Sequence, residues 1–276
     1  DGAERDDGTG RAEPRDSRQV QSDPGQGESH RREAVQDSKQ CRREARRNKN
    51  TNRILNPNRR CKMKVIDLTH VISEEMPVYP GTEKPKLQQA NTYEKDGFKE
   101  TLLTMYSHTG THMDPPNHLF ADRTTLDAFP VSQFVGKALV IDCRDLKEGE
   151  TITIDRITKY GSKAVEADYL LFNLGWDARW GTEDYYKDYP CIDDDVVNFI
   201  LTTDKKGVGL DVIGIDPIPD EDLPIHKKLF REHEIVNIEN LKDLDKCGDD
   251  LFWFFALPLK WENADGAPIR AIAFWE

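Results

Sequence analysis

From Met63 onward the chain orders its polar and apolar positions in ways that predict regular structure. Residues 64–69, Lys-Val-Ile-Asp-Leu-Thr, alternate polar and apolar and predict a first strand. Residues 98–106 predict a second. Residues 137–142 and 168–174 are short continuous apolar runs, the pattern of buried strands. Three acids, Asp193 to Asp195, open a segment with helical spacing that runs to Thr203, and acids favour a helix start. Residues 208–216 predict another buried strand, ended by Pro217 and Pro219. A short helix about residues 226–230 follows, then strands at 235–238, 251–257 and 269–274. Residues 76–81 hold two prolines and a Pro-Gly turn signal, which predicts a loop, either a plain turn or one stiff enough to make Tyr79 a pocket wall. Strands dominate and helices intervene, so residues 63–276 are expected to form one mixed α/β domain.

The first 62 residues have a different texture. They are rich in Arg, Asp, Gln, Gly and Asn and carry few aromatic or branched apolar side chains. Such a segment buries too little to offset its ordering entropy, so a disordered or non-native extension is expected there. A basic arm for nucleic acid is the alternative, and interspersed acids weaken it. The change from Arg-rich to Lys-rich basic residues at Met63 is consistent with a natural start there. Residues 63–276 carry 23 Lys and Arg against 40 Asp and Glu, a net −17. That charge disfavours nucleic acid and anionic membranes as partners and favours a small-molecule substrate. There is no apolar run of membrane-spanning length and no secretory h-region. Five scattered cysteines without a CxxC suit a reducing cytoplasm and propose neither a disulfide frame nor a thiolate zinc site.

The chemistry concentrates in residues 107–120. Three of the seven histidines, His108, His112 and His118, lie there with Asp114 among them. Imidazole and carboxylate at this density are what a borderline or hard divalent metal needs. A helix would put His108 and His112 on one face, but Gly110 and the Asp114-Pro115-Pro116 sequence are poor helix material. A strand would also align His108, Gly110, His112 and Asp114, yet four residues at about 3.3 Å each span roughly 13 Å. The chain is therefore expected to bend at Gly110. Structural metal sites commonly close with four protein ligands, often cysteines, whereas this mixture with a spare histidine points to an open, catalytic site.

The stretch from His108 to His118 resembles the signature His-x-Gly-Thr-His-x-Asp-x-Pro-x-His of the putative cyclase, or kynurenine formamidase-like, metal-dependent hydrolases, a group that includes isatin hydrolase. Pro77 to Gly81, Gly214-Ile215-Asp216, residues 226–241 and Gly266 to Arg270 extend the resemblance to the C-terminus. It implies a swivelling β/β/α fold, one or two divalent ions (zinc or manganese) and a dimer or larger homo-oligomer. By motif, His108 and His112 bind a first ion, Asp114 bridges, His226 binds a second, Glu239 is a further, bridging ligand, and His118 shuttles protons. Glu232 and Glu234 are alternatives to Glu239, because the interval after His226 is one residue longer than the family pattern. Tyr79 stands where dedicated kynurenine formamidases carry tryptophan. Trp176 is a candidate pocket residue or a core aromatic, and Asp216 either orients a histidine or caps a strand end. The expected activity is hydrolysis of an N-formyl aryl amide or a cyclic amide by metal-activated water. A lyase or dehydratase on the same site, or a metal-stabilised binding protein without turnover, are the alternatives.

Overall fold

The structure, a computed structural model, describes residues 63–276, and the expectations for residues 1–62 lie outside the described residues. Along the chain come β1 (Lys64–Asp67), β2 (Lys86–Asn91), helix α1 (Tyr93–Asp96), β3 (Glu100–Thr104), β4 (His112–Asp114) and β5 (Val135–Asp142). Then follow β6 (Thr151–Ile152), helices α2 (Asp155–Thr158) and α3 (Ser162–Glu166), β7 (Tyr169–Asn173), β8 (Cys191–Ile192) and α4 (Asp194–Thr202). The last elements are β9 (Gly207–Leu210), α5 (Pro224–Phe230), β10 (Val236–Glu239), β11 (Phe252–Pro258) and β12 (Ala267–Trp275). The large sheet runs β1-β12-β11-β5-β7-β9-β10-β4, and β4 also pairs with β12. Seven strands thus close into a ring, with β1 attached outside it. Strands β5, β7, β9 and β10 run parallel to their neighbours in that series, and the other pairings in this sheet are antiparallel. The mixed α/β expectation holds.

Strand periodicity sorts the side chains into two cores. On β5, Ala138 and Val140 face the ring interior with Tyr169, Leu171, Phe252, Phe254, Ala271 and Ala273. Leu139 and Ile141 face the other way, into a layer shared with Val196, Val197 and Ile200 of α4 and Leu229 and Phe230 of α5. The continuous apolar runs of β5 and β7 are explained by this burial on both faces. Asp193 caps α4 by accepting from Val196 N at 2.8 Å, as its acidic start predicts.

Two elements differ from expectation. The strand predicted over 208–216 stops at Leu210, because Asp211 turns its carboxylate back to accept Leu174 N and Trp176 N, both at 2.9 Å. The strand predicted over 98–106 shortens to β3 and pairs with β2 in a separate two-stranded ribbon, leaving Leu102 and Leu103 exposed.

The site is positioned by β4 and β10. Their antiparallel register places Glu239 opposite His112, Ile238 opposite Met113 and Asn237 opposite Asp114. Met113 and Ile238 fill the ring interior, so His112, Asp114, Asn237 and Glu239 all project from its outer face. Ile238 is fully buried. Ile238→Ala is expected to cost about 2–5 kcal/mol in urea unfolding; a change within error would show that this contact does not support the register.

Candidate metal centre

His108 precedes β4 in a loop that turns at Gly110, whose φ is +65°. This is the bend that the spacing requires, made at the residue that tolerates it. His108 Nδ1 lies 2.7 Å from Asp114 Oδ1, and His112 Nε2 lies 3.3 Å from the same oxygen. One ligand atom from each of His108, His112 and Asp114 falls within 4.8 Å of the others. His112 Nδ1 meets Gly110 O at 2.9 Å, which fixes the ring nitrogen turned toward an ion, and His108 Nε2 lies 3.5 Å from Asp265 Oδ2 without a hydrogen bond.

A second donor set adjoins the first. His226 Nε2 on α5 lies 3.6 Å from Asp114 Oδ2 and 3.4 Å from Glu239 Oε1, and these three residues form a second group with metal-ligand spacing. Asp114 turns one oxygen to each set, and Glu239 does the same, its Oε2 lying 3.5 Å from His112 Nε2. His226 Nδ1 meets Asp216 Oδ2 at 2.6 Å, while Asp216 also accepts from Ile225 N and His226 N at the start of α5. Asp216 therefore orients the ring and caps the chain at once. Glu232 and Glu234 are exposed, and Glu234 pairs with Arg123 at 2.9 Å, so Glu239 is the acid brought to the donors. The convergent imidazole and carboxylate donors, with the outward nitrogens of His112 and His226 already held by acceptors, fit a divalent cation.

A cavity of about 440 Å³ opens over these groups. Pro77, Val78 and Tyr79 form one wall, and Leu223 and Ile213 add apolar surface. The Tyr79 hydroxyl donates to Ile218 O at 3.3 Å, which steadies the ring. His118 ends a short 3₁₀ turn, Pro116–His118, with its ring centroid 4.0 Å from that of His108 and 6.0 Å from that of His226. Trp176 is a correction to the sequence reading. It is 2% exposed in the core on the helix side, donates Nε1 to Tyr185 O at 3.1 Å, and does not line the cavity. The apolar run of β7 leads directly into that core and carries the indole with it.

A model of the Putative cyclase family matches residues 66–217. The chain belongs to that family. Kynurenine formamidase of Bacillus cereus is 30% identical over 208 residues, 75% of this chain and 95% of the relative. An isatin hydrolase bound to the product analogue thioisatinate superposes with a TM-score of 0.71 at 25% identity, covering 77% of this chain and 92% of that one. A predicted metal-dependent hydrolase from Bacillus stearothermophilus superposes with a TM-score of 0.60 at 28% identity, covering 77% and 98%.

Electrostatics divide the histidines of this cyclase-family site. Burial pulls His108 down, but the Asp114 carboxylate and then Asp265 outweigh it and hold the ring at about 10. His112 and His226 also sit above the ordinary imidazole value: burial opposes this, and Asp114, Glu239 and Asp216 prevail. His118 moves the other way, to about 4, through burial and the neighbouring cationic rings, with Asp114 opposing. It is the neutral member of the cluster at pH 7. Asp265, Asn237 and Asn240 escaped the sequence reading. Asn240 links the site to its surroundings, donating to Gly110 O at 2.9 Å and accepting from the Tyr185 hydroxyl at 2.7 Å.

Two outcomes follow from this geometry. In the ion-free protein His108 carries a proton that an incoming cation displaces, so affinity should rise with pH up to about 10, with proton release. Calorimetry in buffers of different ionisation enthalpy reads this, and a pH-independent affinity would contradict it. A Cβ at Gly266 would lie 2.6 Å from His108 Nε2. Gly266→Ala should therefore weaken cation binding while circular dichroism stays native; unchanged affinity would show that the His108 ring is free to move.

Proposed function

We propose that this chain hydrolyses the C–N bond of an N-formyl aryl amide or a cyclic amide, using a divalent cation and His118 as proton carrier. It is an enzyme, a metal-dependent hydrolase of the cyclase family. The carrying observation is the pair of donor sets that share Asp114 beneath an open cavity, with a neutral histidine beside them. The names of the relatives, a formamidase and an isatin hydrolase, support the two amide classes. We assign the swivelling β/β/α class to the fold on the same likeness.

His108, His112 and Asp114 would hold the ion, and His226 and Glu239 with the second oxygen of Asp114 are the donors that another ion would need. Zinc and manganese both suit imidazole mixed with carboxylate. When bound, the cation supplies Lewis acidity, which polarises a carbonyl and makes water more acidic. His118, neutral and within reach of the donors, takes the proton from the attacking water and returns it to the leaving nitrogen. Tyr79, with Pro77 and Val78, presents a flat apolar wall against which an aromatic substrate packs. The open cavity argues against a closed shell that only stabilises the fold. Self-association into a homodimer or larger assembly belongs to the same reading, and exposed Phe98, Leu102 and Leu103 give a second copy apolar surface to cover. So does a reducing cytoplasm, which suits the free thiols of Cys143, Cys191 and Cys247. No helix among the described residues is long and apolar enough to cross a membrane.

His118→Ala should lower kcat roughly 10²–10⁴-fold while the bound metal stays near the wild-type level. His112→Ala should lose both turnover and metal. Elemental analysis alongside kinetics on N-formyl anilines and isatin-like lactams makes the comparison. Full turnover by His118→Ala, or no hydrolysis of either amide class by metal-loaded protein, would reject the proposal.

A further inference from the structure

We propose that Asn237 closes the second cation position, so that this chain works with a single divalent ion. The inference deepens the metal reading above and rests on it. Asn237 is fully buried on β10, directly opposite Asp114 on β4. Its Nδ2 lies 3.1 Å from Asp114 Oδ2, 2.8 Å from Glu239 Oε1 and 3.3 Å from His226 Nε2. These three atoms belong to the residues of the second donor set.

His226 Nε2 stands 3.6 Å and 3.4 Å from the two carboxylate oxygens. An ion bound to all three at about 2.0–2.2 Å must sit between them. The amide group already points its two N–H bonds toward that space, and an N–H donor cannot serve as a ligand. The carboxylates themselves choose this orientation. Turned over, the amide would press Oδ1 against two carboxylate oxygens, whereas in the present orientation Oδ1 simply meets no donor. Asp114 Oδ1, by contrast, faces two ring nitrogens, His108 Nδ1 at 2.7 Å and His112 Nε2 at 3.3 Å. The first position therefore presents ligand atoms to a cation, and the second is filled by an N–H donor. Glu239 then acts as a positioning residue: it accepts from the amide, which holds Asp114 Oδ2 and leaves Oδ1 for the ion.

The test is the metal stoichiometry of the full chain after equilibrium dialysis against Zn²⁺ or Mn²⁺, read by elemental analysis. Asp114→Ala, which breaks both sets, gives the background from donors elsewhere. Wild type should hold one equivalent above that background, and Asn237→Ala should hold two. Asn237→Ser serves the same purpose if the alanine variant does not fold, with circular dichroism as the check. Two equivalents in wild type would mean that the amide rotates and ligates through Oδ1, and would overturn the inference; so would a single equivalent in the folded Asn237 variant. No metal above background in either protein would instead remove the metal reading beneath it.

Discussion

The site depends on the register in which β4 meets β10. The period of a strand is two, so a slip of one residue would turn His112 and Asp114 into the ring and Met113 out toward solvent. Met113 and Ile238 oppose this from the inner face, where both are fully buried. On the flank, Thr111 Oγ1 donates to Asn240 O at 2.6 Å and Ile269 N donates to Thr111 O at 3.0 Å. These bonds tie the short β4 to both of its neighbours. Apolar burial on one face thus sets the geometry of polar chemistry on the other.

That chemistry is expensive to bury. Two carboxylates and two imidazoles, Asp114, Glu239, His112 and His226, are each at most 5% exposed. Charged groups survive such burial only when they are paired and hydrogen-bonded. Each ring meets this condition twice, with a carboxylate on the inner side and Gly110 O or Asp216 on the outer. Removing an outer acceptor would therefore disturb both the protonation and the direction of a ring.

Local patterns made half of this legible in the sequence. The residues from His108 to His118 are contiguous, and the steric demand for a bend at Gly110 could be read from spacing alone. Strands β5, β7, β11 and β12 announced themselves through apolar runs or alternation. Glu239 needed a family likeness, because its place at the site follows from a pairing 123 or more positions away in sequence. Asn237 gave no signal: a single asparagine between Val236 and Ile238 reads as an ordinary strand residue. The sequence Lys-Leu-Gln-Gln-Ala-Asn of β2 has no buried face to betray it. An apolar run continues past Leu210, so only the structure reveals that Asp211 ends the strand. Trp176 was ambiguous in principle, since an aromatic after a buried strand can face a cavity or a core with equal ease.

The ring closure has a consequence for how the protein matures. Strand β4 finds its two partners, β10 and β12, only after more than a hundred further residues have been made and ordered. Contacts this distant in sequence form slowly, because their loop-closure entropy is met before they stabilise anything. An unfinished chain therefore has the histidine-rich segment but lacks the pairings of β4 that orient it, and His226 and Glu239 are still to come. An ion held by the folded site would in turn favour the finished state by mass action.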